Sequence, residues 1–210
     1  MESWKIVVPS YNRPDEFKSK TLATLKFHEI PASRIYLFVA SEEQKAVYQR
    51  VLSTEDVGHI IVGEKGLPEI RNFIFNYFPI GTPLVSFDDD VRGFVILNGD
   101  KLRPLNANEL KPLIDLAFSE CKRVGANLWG DYPVHTNAYW MSNTISFDLK
   151  FIKGSFWGCY NPGVEIQINI GSGEKEDYMR TVKFWERDGK LVRFNFLAHK
   201  TVTYGGSGGL

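Results

Sequence analysis

The sequence predicts an α/β protein with a mainly parallel sheet and a smaller mixed lobe, and three observations predict it. Short apolar runs rich in β-branched residues alternate with segments of helical period through the first half of the chain. The fourth such run ends in three consecutive aspartates, Asp88, Asp89 and Asp90. Beyond residue 97 the texture changes to aromatic-rich pieces interspersed with glycine and proline. At 210 residues the chain fits one domain, read here as two halves, 1–97 and 98–210.

The elements follow in order. Lys5–Pro9 is a strand, and the loop Ser10–Arg13 leads to Pro14, which suits the first turn of a helix running past Phe17 towards Leu25. Arg34–Ala40 is a second strand. Ser41 can then cap a helix, Gln44 can close the capping box, and Ala46, Val47, Val51 and Leu52 form its apolar face. His59–Val62 is a third strand, and Gly66-Leu-Pro68 opens a third helix with Leu67, Ile70, Phe73, Ile74, Tyr77 and Phe78 at helical spacing. Pro83–Phe87 is the fourth strand. In a parallel sheet of this kind the loops at the strand C-termini form the ligand crevice, and the aspartates sit on that edge.

In the second half, Asn106–Val124 reads as an amphipathic helix stopped by Gly125. Val164, Ile166, Ile168 and Ile170 alternate with Glu165, Gln167 and Asn169, the pattern of a half-buried antiparallel strand. Glu174–Arg187 reads as helix and Leu191–Leu197 as strand, and Gly205–Gly209 is a low-complexity tail.

Composition narrows the function. Hydrophobic residues make up 43% and charged residues 24%, as in a globular protein, and 25 Lys plus Arg balance 25 Asp plus Glu, so bulk electrostatics does not drive binding to a polyanion. The opening Met1–Lys5 lacks the regions of a signal peptide, and no apolar run approaches about 18 residues. The expectation is a cytoplasmic protein with no membrane partner. Cys121 and Cys159 have neither CxxC spacing nor neighbouring histidines, which predicts reduced, buried thiols.

Five features could carry chemistry, each with an ordinary alternative. Asp88–Asp90 is either a solvated acidic turn or a site where a hard cation offsets like charges; Mg²⁺ or Mn²⁺ held by one or two carboxylates completes its shell with water and substrate phosphates. Ser10, Tyr11, Asn12 and Arg13 form a plain turn or a loop at a helix N-terminus that holds a base, ribose or phosphate. Arg71 is a surface arginine or a fork onto phosphate. Glu176 and Asp177 complement a helix dipole, or one of them is a general base for a hydroxyl acceptor. His199 is structural or a metal ligand.

Taken in order, Val7–Pro14 with Pro9 and Ser10, Val39–Glu42, Gly66–Asn72, Phe87–Val91, Glu176–Arg180 and His199-Lys-Thr201 resemble the motif set of GT-A glycosyltransferases. Within that superfamily the chain resembles the glycosyltransferases associated with thymine and methylcytosine dioxygenases, found in phages and including the base J glucosyltransferases. Gly66-Leu-Pro68, Arg71-Asn72, the aspartates with Val91, Glu176-Asp177 with Arg180, and Lys200–Gly205 carry that likeness. The resemblance implies a GT-A fold in which 1–97 binds the nucleotide sugar and 98–210 the acceptor. It implies inverting transfer from a nucleotide-sugar donor, expected to be UDP-linked, to the hydroxyl of 5-hydroxymethylpyrimidine in DNA, and, for a phage-encoded chain, the host cytoplasm as location.

The same resemblance implies the roles. Pro9 to Arg13, Glu42, Gly66, Arg71, Asn72, Asp88, Asp89 and Lys200 fall to the donor, with Asp88 facing ribose and sugar and Arg71 or Lys200 as auxiliary clamps. Asp90 and His199 fall to the metal, Asp177 is the expected base and Glu176 its alternative. An acceptor base must be flipped out or single-stranded. Trp129, Tyr132, Trp140, Phe156 and Trp157 are candidates to stack on it, and Lys150, Lys153, Lys175 and Arg180 to contact phosphate. The competing readings are a glycosyltransferase with a glycan or protein acceptor, a non-catalytic nucleotide- or DNA-binding domain, and a sugar-1-phosphate nucleotidyltransferase, whose glycine-rich signature after the first strand is missing from Ser10–Pro14.

Overall fold

The structure is a computed structural model and describes residues 3–169 and 175–201. The tail Gly205–Gly209, the Val202–Gly205 part of the resemblance, Ile170 and Glu174 lie outside the described residues.

Eight strands form one sheet in the order β3-β2-β1-β4-β9-β7-β10-β8. Strands β1 (Lys5–Pro9), β2 (Ile35–Val39), β3 (His59–Val62) and β4 (Pro83–Phe87) are mutually parallel, so their C-terminal ends share one edge. Helices return the chain between them. The first, α1 (Pro14–Phe17), passes through a π-helical turn at Lys18–Leu22 into α2 (Ala23–Phe27); α3 (Glu42–Val51) and α4 (Leu67–Tyr77) follow. A small sheet, β11-β5-β6, pairs β5 (Phe94–Asn98) with β6 (Lys101–Pro104) and β11 (Leu197–His199).

The second half continues the large sheet. Strand β9 (Phe156–Tyr160) runs antiparallel to β4, and β7 (Leu128–Asp131) antiparallel to β9, so β7 ends on the aspartate edge and β9 starts there. Then β10 (Val192–Phe194) lies parallel to β7, and β8 (Ile145–Ser146) closes the sheet antiparallel to β10. Helix α5 (Leu110–Val124) precedes β7, and α6 (Glu176–Asp188) precedes β10.

The strand period of two builds two cores, one on each face. Ile6, Leu37, Val85 and Phe87 pack with Phe17, Leu25, Tyr48, Ile114 and Phe118 beneath α1–α3 and α5. Val7, Phe38 and Leu84 pack with Ile70, Ile74, Phe75 and Phe184 beneath α4 and α6. Burying each large side chain contributes roughly 1.5–3 kcal/mol.

Some boundaries differ from expectation. Helix α5 starts at Leu110, because Asn106–Glu109 forms a turn closed by the Asn106 amide on Glu109. The expected strand at Val164–Ile170 begins as a 3-10 turn at Gly163–Glu165 and continues without pairing through the described residues. The alternation holds as burial at Ile166 and Ile168 but fails at Val164, expected on the same buried face and in fact exposed on the 3-10 turn. The backbone is satisfied differently: the Asn72 side chain donates to the Ile168 carbonyl and accepts from its amide, at 3.0 and 2.8 Å. Leu191–Leu197 divides into β10 and β11, which enter different sheets. The Ser41 cap accepts from the Gln44 amide, but the Gln44 side chain reaches Asn12 instead of completing the box.

Candidate functional site

A cavity of about 240 Å³ opens on the shared edge. Pro9, Ser10, Tyr11 and Arg13 line it from the end of β1, and Phe38 and Ala40 from β2. Gly66 and Ile70 of the α4 N-terminal region face them, and Asp88, Asp89 and Asp90 form the remaining wall. Gly66 has φ of 111°, a backbone conformation that only glycine adopts easily at this helix entry.

The three aspartates have different partners. Arg71 Nη2 donates to Asp88 Oδ1 at 2.7 Å, and Nη1 donates to Ser86 Oγ at 2.5 Å. Desolvation raises Asp88 above the ordinary carboxylate value, against the pull of Arg71. Asp89 is buried and accepts from Ser10 Oγ at 2.6 Å, with Arg13 at 3.5 Å. Desolvation pushes Asp89 up to about 6, and the fields of Asp88 and Asp90 add to it while Ser10 and Arg13 oppose it. A polarised chain feeds this carboxylate: the Arg13 amide donates to the Tyr48 hydroxyl, which donates to Ser10, which donates to Asp89. Asp90 accepts from the Thr201 hydroxyl at 2.7 Å.

The π-helical turn positions this acidic segment. Thr21, within it, donates to the Asp88 carbonyl at 2.6 Å and accepts from the Val91 amide at 2.9 Å, and Thr24 donates to the Val91 carbonyl.

Gly154 and Ser155, just ahead of β9, join the aspartates to α6. The Asp88 amide donates to the Ser155 carbonyl at 2.9 Å, Arg71 donates to the Gly154 carbonyl at 3.3 Å, and the Gly154 amide donates to Asp177 Oδ2 at 3.2 Å. A Cβ at Gly154 would lie 2.9 Å from Glu176 Oε1, so any other residue here must push the end of the Glu176 side chain aside. Asp177 is half-buried, and desolvation raises its pKa, with Glu176 adding and Arg180 opposing. It lies in the first turn of α6, and its Oδ1 accepts from the Tyr178 amide.

Several expected roles change. Glu176 is buried, paired with Arg180 at 3.1 Å and 3.8 Å from Arg71 Nε, so it is a buried counter-ion and no exposed base. Arg180 is wholly buried, donates to the Ile152 carbonyl and stacks 4.1 Å from the Trp157 ring centroid, and therefore cannot meet an acceptor phosphate. Trp129 and Trp157 are core residues of the two faces, with no ring surface for an acceptor base. Arg71, 2% exposed, is a brace for Asp88 instead of an exposed phosphate fork. Asn72 is occupied by Ile168, Glu42 is exposed in the first turn of α3 outside the cavity lining, and Lys200 lines a neighbouring recess. Asn12, at φ of 56°, holds Gln44 and is likewise outside the lining.

His199, expected on a metal, is buried with both ring nitrogens engaged. Nδ1 donates to Asp131 at 2.9 Å, and Nε2 shares a hydrogen bond with the Ser155 hydroxyl at 2.6 Å. Among the described residues no group of three or more His, Cys, Asp or Glu side chains is placed to hold a metal. The donors that do fit a hard cation are Asp88 and Asp90, each with one carboxylate oxygen that takes no hydrogen bond among the described residues. Two carboxylates suit Mg²⁺ or Mn²⁺ only when a diphosphate and water supply the other oxygens.

Thr21, Tyr48, Asp131, Gly154 and Ser155 were not singled out by sequence. Only Asp131 carried a usable signal, as a lone acid ending a buried run on the aspartate edge of the sheet.

Comparison with known proteins adds little beyond this. No protein-family model matches the chain, and no curated protein matches it. Among solved structures it is similar to a mannosyltransferase from Pyrobaculum calidifontis in complex with GDP-Man and Mn²⁺, with 12% identity and a TM-score of 0.49. That match covers 75% of this chain and 44% of the mannosyltransferase, so the chain spans less than half of its length.

Proposed function

We propose that the protein is a glycosyltransferase that binds a nucleotide-diphosphate sugar in the aspartate-lined cavity and transfers the sugar to a hydroxyl group. One observation carries this reading: Asp177, a half-buried carboxylate of raised pKa, is tied through Gly154-Ser155 to the same backbone segment that holds Asp88. A base and a donor wall fixed to one two-residue node are what a displacement at an anomeric carbon requires.

Ser10, Tyr11, Arg13 and Gly66 receive the nucleotide at the strand ends, and Asp88, braced by Arg71, faces the ribose and sugar. Mg²⁺ or Mn²⁺, held by Asp90 with Asp88, would supply charge stabilisation to the leaving diphosphate. Asp177 accepts the proton of the attacking hydroxyl, and attack from the face opposite the diphosphate inverts the anomeric centre.

The finer assignment, a UDP-linked donor and 5-hydroxymethylpyrimidine in DNA as acceptor, rests on the sequence resemblance, because Trp129, Trp157 and Arg180 are core residues. Among the described residues no helix is long and apolar enough to cross a membrane.

The test incubates the protein and Mn²⁺ with a panel of nucleotide sugars and oligonucleotides containing 5-hydroxymethylcytosine, 5-hydroxymethyluracil or unmodified bases. A sugar mass increment that needs the hydroxymethyl group and disappears with chelator is expected. Donor hydrolysis without an increment would move the acceptor to glycan or protein; the absence of both donor binding and hydrolysis would overturn the reading.

A further inference from the structure

A second recess, of about 520 Å³, lies on the far side of the segment that follows Asp90. Lys20, Thr24 and Phe27 of the π turn and α2 form one wall, Phe94 and Leu105 of the small-sheet region the other, and Arg92 and Lys200 stand at its rim. No lining residue is a carboxylate, although Asp plus Glu equal Lys plus Arg over the whole chain. Lys20 is paired with Glu16, whose carboxylate also feels Arg92, but Arg92 and Lys200 themselves make no ion pair among the described residues. His28 is a buried neutral wall, with Nδ1 donating to the Ala107 carbonyl at 3.1 Å.

The apolar side offers a ring. Phe27 is 57% exposed, braced edge-on by His28 with centroids 4.9 Å apart. An exposed Arg92 and a half-buried Lys200 beside an accessible aromatic suit a phosphate joined to an aromatic base, since the base can stack while the phosphate is neutralised. The recess is also wired to the acid cavity. The Arg92 amide donates to the Lys200 carbonyl, the Lys200 amide donates to the Gly93 carbonyl, both at 2.8 Å, and the next residue, Thr201, holds Asp90.

We propose that this recess is a nucleotide subsite separate from the donor cavity, with Arg92 and Lys200 holding a phosphate and Phe27 stacking a base. The ligand is a nucleotide unit, free or within a nucleic-acid strand. Its bearing on sugar transfer rests on the function proposed above; its occupancy does not.

Fluorescence anisotropy of a labelled twelve-nucleotide oligothymidylate on the full chain, between about 20 and 200 mM salt, tests the site. Two phosphate contacts predict a slope of log affinity against log salt of about −1.4, at about −0.7 each. Arg92→Glu should weaken binding at least about tenfold and flatten that slope. Phe27→Ala, at an exposed position, should weaken the oligonucleotide without changing the slope. Full competition by dTMP identifies a free nucleotide as sufficient, whereas oligonucleotide binding that resists dTMP identifies the strand. Unchanged affinity in Arg92→Glu, or no binding of either probe at low salt, would overturn the subsite. Donor titration with Mn²⁺ is read separately, so failure of donor binding with Arg92-dependent oligonucleotide binding intact sinks the transferase reading and leaves the subsite standing.

Discussion

Replacing Arg71 by methionine removes the guanidinium that joins β4, the aspartates and α6. The substitution deletes donors to Ser86 at 2.5 Å, Asp88 at 2.7 Å and Gly154 at 3.3 Å, while the flexible thioether fills much of the vacated volume. Breaking a buried ion pair from one side costs about 3–5 kcal/mol, because the partner charge is stranded. Asp88, however, is 36% exposed and regains water, and Glu176 keeps Arg180 at 3.1 Å. The expected loss therefore falls at or below the bottom of that range, about 2–3 kcal/mol. For a domain of this size each kcal/mol lowers Tm by about 2–4 °C, so the variant should melt about 4–12 °C below the parent. Circular dichroism melts at pH 7 read this directly. In an Asp88→Asn background the same substitution should cost at least about 1 kcal/mol less, since the stranded carboxylate is gone. A fall in Tm under about 2 °C, or strict additivity of the two substitutions, would refute the brace.

Other expectations follow from the same geometry. Asp177→Asn should lower transfer by at least about 10²-fold while donor binding persists, checked by paired transfer and donor-titration assays; undiminished turnover would remove the base assignment. Asp89 has a native pKa of about 6, above its unfolded value near 3.8, so the folded state binds more protons between those values and stability falls as pH rises through that window. Asp89→Asn should flatten the decline of Tm between about pH 4 and 6 and melt higher than the parent at neutral pH; Asp56 and Glu109, held at about 2, act at lower pH in the opposite sense. Asp131→Ala strands the His199 ring and its backbone amide, and unfolding in urea should register a loss of about 2–3 kcal/mol. Gly154→Ala, with its Cβ 2.9 Å from Glu176 Oε1, should reduce transfer more than donor binding, and equal losses in both would speak against the node.

Much of the fold was legible because local pattern and global topology agree in the first half. Four apolar runs with helical returns specify β1 to β4, and a parallel sheet puts their C-terminal loops on one edge, so Ser10, Gly66 and Asp88 meet as expected. The second half was less legible because its strands are short and antiparallel, and their partners are distant in sequence. Alternation at Ile166 and Ile168 reports burial, not pairing, since a single Asn72 amide can satisfy the backbone that a neighbouring strand would otherwise take. Aromatic residues misled for a related reason: tryptophan suits an acceptor platform and a core equally, and only burial separates the two at Trp129 and Trp157.

Charge was ambiguous in the same way at Glu176-Asp177, where two adjacent acids open one helix and either could be the base. Packing separates them. A helical turn puts Arg180 beneath Glu176, and Arg71 approaches the same carboxylate from α4, so Glu176 is enclosed between two guanidiniums that both lie over Trp157. Asp177, one residue on, makes no ion pair among the described residues and accepts from the backbone of Gly154 and Tyr178. An acid enclosed by two cations is a poor proton acceptor and a good anchor; an acid held by backbone amides and lifted by desolvation is the better base. The first fixes where α6 begins, and the second thereby gains its place beside the aspartate edge.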